Sequence, residues 1–488
     1  MTTLANSVPL PASRGHALKA AAEDHALVAV PQAQRHSGWW LALSPVGVAT
    51  ALVIFAIGGF TVMLAGFKAG LLAGCTIALF GATLGILMGR LTHATGLSST
   101  VTARFFGFGY KGSSLGSLTF AFMILGFLAV ESALLYEGTL LMFHLEESWK
   151  VRICLYTALT LLWVLLAIFG LKLALRASAF CIVVTILVTI YMVVDLYVIR
   201  QADPLVVFNG EGNVQGSFWT KFSTALGVMG ATAGTIALLT ADFARYCRNR
   251  RDITILAVSG PVAQNIVMTI LGALVIMGGL PHIMEYLMAR NAGLTPEAAA
   301  QAAGGFAMGN TGAFFVILAG WVGFLTIYVT QAKAQAINAY SGSLALVNLA
   351  DTLLGRKPGR AAMVIVGNLI ALAMIASGIL GQFIAYLSWL GAMTLALCGV
   401  MIADYYGVRR GHFDHNTHQV ENWNWAGVTT WLLSAGLGIW MIASQVFELG
   451  FFVSFLLACL LYPVLRKVLP EGSMTDFVSE DKALREAG

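Results

Sequence analysis

Charge is what this sequence has least of. Of 488 residues, 28 are Lys or Arg and 23 are Asp or Glu, 10% in all, against about a quarter in an ordinary soluble domain. Too few polar side chains remain to cover a water-facing surface, which excludes soluble enzymes, disordered chains and nucleic-acid binders. Proline is also scarce, at 11 residues, and strand patterns are hard to find. The six cysteines (Cys75, Cys154, Cys181, Cys247, Cys398, Cys459) have no paired spacing and mostly lie in apolar runs. They read as small buried hydrophobes, not as disulfides or metal ligands. A metal-ligand helix pair, a nucleophile motif and a phosphate loop are all missing, so a membrane enzyme is unsupported. A channel or sensor would carry a pore-lining charge ring or an appended soluble domain, and neither is visible. Residues 1–37 lack the short apolar core and cleavage site of a signal peptide.

What is abundant is apolar sequence, 58% of the chain. The pattern predicts an all-α polytopic membrane protein, since a helix satisfies its own backbone in lipid and needs about 20 apolar residues to cross it. Twelve segments qualify: 39–66, 70–91, 115–143, 151–171, 174–199, 218–243, 253–280, 312–347, 361–380, 382–406, 425–445 and 449–466. An even number puts both tails on one side. With the N-terminus inside, 21 basic residues fall in inner loops and tails and six in outer loops, leaving Lys333 within a span. The positive-inside rule therefore predicts cytoplasmic termini in a cell (inner or plasma) membrane.

Two spans share a feature. Segment 1 carries Ala49, Gly58 and Gly59, and segment 6 carries Gly227, Gly230 and Gly234. Glycine-interrupted spans in two halves point to broken helices around a midplane site, although glycine is also a common close-packing residue in membrane helices.

Ionisable residues at membrane depth are costly and each calls for a reason. Asp242 and Asp404 lie at inner span ends beside Arg245 and Arg409, which predicts interfacial pairs. Glu131, about 16 residues into segment 3, and Lys333, about 20 into segment 8, cannot snorkel to an interface. They read either as a buried structural pair or as coupling and substrate-contacting groups. Segment 8 also holds Gln331, Gln335 and Asn338, whose i, i+4, i+7 spacing puts them on one helix face. Three amides beside a lysine favour a polar cavity over simple helix glue.

Four stretches resemble the nucleobase–cation symporters of the purine–cytosine permease type. They are THATGLSSTVTARFFGFG ending at Gly109, TADFARYCR (240–248), AYSGSLAL (339–346) and GVMIADYYGVRR (399–410). With the twelve-span layout, the likeness covers about residues 35–465. It implies a LeuT-like fold of two five-helix inverted repeats plus two extra helices. Residues 38–200 would be the first repeat, 201–406 the second and 407–466 the extra pair, flanked by tails 1–37 and 467–488. Segments 1 and 6 would be broken, with substrate held between segments 1, 3, 6 and 8.

Carried over position by position, the resemblance implies a stacking aromatic at Phe127 and a hydrogen-bonding group at Glu131. Gly230, Thr232, Gly234 and Thr235 would face substrate from segment 6. In segment 8, Asn338 would read the ring edge, with Gln335 as a nearby replacement for a second amide. Where sodium-coupled members place adjacent hydroxyls, this chain has Lys333 and Ala334. An ammonium there would repel sodium.

The implied function is a permease importing a nucleobase or related small N-heterocycle, proton-coupled or sodium-independent, with Lys333 and Glu131 in coupling. No cofactor, metal or nucleic-acid partner is expected, only substrate and the bilayer. The alternative substrate is a cationic heterocycle or amine, thiamine-like or guanidine-like, held by Glu131.

Overall fold

The computed structural model describes residues 27, 29–168, 171–291, 293–414 and 419–476. Helices occupy all twelve apolar segments. Among the described residues, ten helices are long and apolar enough to span a membrane. A bent pair, α1 (Gly38–Ala49) and α2 (Leu52–Ala65), forms the first span at an angle of 63°. The spans then run as α3 (Phe67–Thr95), α4 (Ser113–Met142), α5 (Trp149–Ile168) and α6 (Leu171–Val194). Next come α7 (Phe218–Met229) and α8 (Ala231–Ala244), which together make one span, and α9 (Arg250–Arg290). A short surface helix, α10 (Pro296–Gly309), precedes α11 (Thr311–Leu354) and α12 (Arg360–Ala376), the last only 17 residues long. The final three are α13 (Phe383–Ile402), α14 (Trp425–Ala443) and α15 (Gly450–Val468).

The break in the first span falls at Thr50 (φ −98°, ψ 27°) and Ala51 (φ −80°, ψ 161°). Gly58 and Gly59 are not part of it. They allow close packing: an added Cβ would come within 2.7 Å of Thr269 Cα and 2.6 Å of the Gly272 carbonyl oxygen on α9. The close-packing use of glycine therefore accounts for both. The expected break in segment 6 is slight. Gly230 alone separates α7 from α8, and its backbone is helical (φ −60°, ψ −35°).

The most extensive helix contact joins α4 to α11. It depends on small residues, since a Cβ on Gly312 would meet the Leu134 carbonyl oxygen at 2.1 Å. Two central spans thus approach to backbone distance, which sets the spacing of the polar groups they carry.

The face carrying both described ends of the chain is closed by buried polar contacts. Arg104 pairs with Asp351 at 2.6 Å and also donates to Asn348, both near the end of α11. Asp242 accepts from the backbone N–H and the hydroxyl of Ser99 at 2.8 and 2.7 Å. The expected Asp242–Arg245 side-chain pair is therefore replaced by a cap, and Arg245 Nε donates to the Asp242 carbonyl instead. Asp404 does pair with Arg409, at 3.3 Å, and accepts from the Gly107 N–H at 2.7 Å. A two-stranded β pair, β1 (Gln419–Glu421) and β2 (Met474–Asp476), ties the loop before α14 to the chain after α15. On the opposite face an open vestibule of about 770 Å³ lies between α4, α9, α10 and α11, with Glu137, His144, Glu147 and Arg290 on its walls.

Candidate functional site

The break leaves backbone groups without helical partners at the centre of the protein. The Ala51 N–H bonds to the Val48 carbonyl, so the Gly47 carbonyl loses its helical donor. Such orphan carbonyls at a helix C-terminus carry partial negative charge and attract cations. Lys333 of α11 supplies one. Its Nζ donates to Gly47 O at 3.0 Å, Thr50 O at 2.9 Å and Thr50 Oγ1 at 2.7 Å. Three donors meet three acceptors, and the ammonium is wholly buried. It does not pair with Glu131, so the structural ion pair considered from sequence is not the arrangement found.

Beside the break lies an enclosed cavity between α1, α2, α4, α8, α9 and α11. Its apolar wall is formed by Val48, Ile54, Ile124, Phe127, Ile236 and Leu239. The polar groups on it are Glu131, Thr232, Thr235, Gln264 and Asn338. The space open to the centre of a water molecule is about 10 Å³, room for about one water. Anything larger than a water would fit only if the lining helices separated.

Helical spacing explains which α4 residues meet the cavity. Phe127 and Glu131 are one turn apart and share a face. Tyr386 packs edge-on to the Phe127 ring, with centroids 5.8 Å apart, and is itself held by its hydroxyl donating to the Met123 carbonyl at 2.6 Å. Asn338 crosses from α11, donating from Nδ2 to Glu131 Oε2 at 3.3 Å. On α8, the single hydroxyl proton of Thr232 is shared between Met229 O at 2.6 Å and Asn265 Oδ1 at 2.9 Å, while Thr235 bonds back to the Ala231 carbonyl.

Of the residues singled out from sequence, Phe127, Glu131, Thr232, Thr235 and Asn338 are therefore brought together on one wall or another. Lys333 lies next door, at the break. Three others lie outside the cavity. Gly230 faces Phe451 of α15, whose ring atoms would be 1.9 Å from an added Cβ, and Gly234 faces Thr394 of α13 at 2.4 Å. Both are small because neighbouring spans press on them. Gln335 points one turn away from Asn338 and donates to Leu128 O and Ser132 Oγ, gluing α11 to α4.

Sequence reasoning missed Gln264. The signal was an amide pair, Gln264–Asn265, inside an apolar span three residues after Pro261. The structure places the pair in a π-helical turn, Ala263–Val267, a form of helix defect common at functional sites. No group of three or more candidate metal ligands occurs among the described residues.

Comparison with known proteins adds three observations. A family model described as permease for cytosine/purines, uracil, thiamine and allantoin matches residues 29–465. A search of curated protein sequences returned no significant match. Among solved structures, the chain is similar to Mhp1, a nucleobase-cation-symport-1 family transporter, in a closed conformation with bromovinylhydantoin bound. The TM-score is 0.63 at 19% identity, over 91% of this chain and 96% of that one. It is also similar to a Na+-coupled sialic acid symporter (TM-score 0.63, 10% identity, 94% and 96% covered). A manganese transporter of Eremococcus coleocola aligns more loosely (TM-score 0.52, 15% identity, 91% and 98% covered). The fold is thus the LeuT-like transporter fold, at identities too low to carry more than the fold.

Proposed function

Because the chain belongs to the family of permeases for cytosine and purines, uracil, thiamine and allantoin, we propose that it imports a nucleobase or related small N-heterocycle by alternating access, without sodium as coupling ion. The membrane would be the cell membrane, with both termini in the cytoplasm, as the loop charges favour.

The observation that carries this reading is the Lys333 ammonium bound by the broken first span, beside a cavity lined by Phe127 and by convergent polar groups. A helix break supplies carbonyl oxygens at midplane, which is how this class of fold builds a cation site. Here a side chain fills it with a charge of its own. Sodium would have to displace three short hydrogen bonds and approach an ammonium, and both oppose binding. Deprotonation of Lys333 would withdraw that charge and loosen the hold of α11 on the break. A proton-linked cycle follows, in which the charge biases the equilibrium between two access states. The ring would lie against Phe127, with Glu131 and Asn338 at its edge.

The closed network around Arg104, Asp242 and Asp404 and the open vestibule opposite fit a state poised toward the outside. Uptake of labelled uracil, hypoxanthine and hydantoin into proteoliposomes tests the reading. Accumulation driven by an inward proton gradient and indifferent to sodium is expected; accumulation that requires a sodium gradient would overturn the sodium-independent assignment.

A further inference from the structure

One buried polar group on the cavity wall has no work inside the protein. Gln264 is 3% exposed, and its Nε2 has no hydrogen-bond partner among the described residues. Its neighbour in the π-helical turn is fully engaged: Asn265 accepts from Thr232 and donates to the Pro261 carbonyl at 3.3 Å. The turn therefore sends one amide to a structural contact and leaves the other facing the cavity. A buried amide without a partner is costly enough that native proteins rarely keep one without cause.

A second unpartnered atom faces the same space from α11. Asn338 Oδ1 is buried and unbonded, while its Nδ2 donates to Glu131. With Glu131 ionised, that bond fixes the orientation of the amide, because only the NH2 can donate to a carboxylate oxygen. The free atom of Asn338 is then an acceptor. The cavity presents one orphan donor from α9 and one orphan acceptor from α11, with apolar walls between.

We propose that Gln264 is a specificity-determining residue of this cavity, donating to a ring carbonyl or ring nitrogen of the substrate while Asn338 accepts from a ring N–H. The substrate class this fits is a flat heterocycle with an acceptor on one edge and an N–H on another, as in lactams and cyclic ureides. The inference deepens the reading of the cavity as the heterocycle site and rests on it.

The test uses the purified full-length protein and measures ligand-induced thermal shifts and dissociation constants. Uracil, hypoxanthine and hydantoin are the neutral probes. The wild type is expected to bind at least one neutral probe. Gln264→Leu and Gln264→Met are both expected to weaken that binding at least tenfold. Their unliganded melting temperatures should equal or exceed that of the wild type, since each removes an unsatisfied buried group. Variants that bind within twofold of wild type would overturn the role of Gln264 and leave the cavity reading standing. Lowered unliganded stability in both variants would make the residue structural and overturn the proposal too. A wild type that binds none of the neutral probes would remove the cavity reading itself.

Discussion

Lys333 on α11 donates to the carbonyl oxygens of Gly47 and Thr50, so that one ammonium closes the break between α1 and α2. Removing it exposes what it holds. Lys333→Met leaves two carbonyls and the Thr50 hydroxyl without that donor in a buried place. A loss of roughly 2–5 kcal/mol in folding stability is expected from orphaned buried acceptors. Unfolding in denaturant checks this, and an unchanged midpoint would show the bond to be dispensable. The paired change Lys333→Ser with Ala334→Thr introduces two adjacent hydroxyls in place of the ammonium. Sodium should then raise the melting temperature of the double variant and leave that of the wild type where it is.

Glu131 accepts from Asn338 and so holds that amide in its reading orientation. Glu131→Gln keeps the size and one acceptor, so binding of a neutral heterocycle should fall no more than about fivefold. Glu131→Ala frees Asn338 to turn and opens a gap. A loss of at least tenfold, about 1.4 kcal/mol, is expected. Titration calorimetry with the best neutral ligand separates the two. If the Gln variant loses as much as the Ala variant, the carboxylate charge itself is what the ligand needs.

The Arg104–Asp351 pair is buried on both sides and sits where the face carrying the chain ends is sealed. Breaking a buried pair by removing one partner costs roughly 3–5 kcal/mol, because the other charge is left behind. Asp351→Ala should therefore disfavour the closed state of that face. Hydrogen exchange around Ser99–Thr102 should rise in the variant relative to wild type. Unaltered exchange there would mean that the pair does not latch the face.

Gly230 is pressed by Phe451, whose ring would overlap an added methyl. Gly230→Ala should destabilise the fold by about 1–3 kcal/mol through overpacking, with ligand affinity in the folded fraction unchanged. Phe451→Ala in the same molecule makes room, so the two changes together should cost less than their sum. Strict additivity would separate the two residues.

The sequence carried the fold far. Lipid forces backbone groups to bond within a helix, so apolar length alone marked twelve segments that are helical, eleven of them long enough to span when the bent first pair counts as one, and the scarcity of charge isolated Glu131 and Lys333. It carried the site only partly. Phe127 and Glu131, one turn apart, and Asn338 opposite them fall on the cavity because helical period and the α4–α11 contact fix their faces. Gly230, Gly234 and Gln335 look the same in sequence as cavity residues, yet they lie against neighbouring spans. A small residue beside substrate and one beside a neighbouring span leave identical traces in a single chain.

Gln264 was hidden for a different reason. A π-helical turn adds a residue to the helix and changes which side chains face inward, and no periodicity read along the chain anticipates it. The break at Thr50 is similar, since Pro45 and Gly47 shortly before it do not say where the helix ends, and its carbonyls are claimed by a lysine 283 residues away. Sequence by itself determined the class of molecule, the spans and the two stranded charges, because these follow from local transfer energies. Tertiary structure decided that those two charges do not pair, and which amides are satisfied and which face the cavity, because that depends on partners distant in the chain.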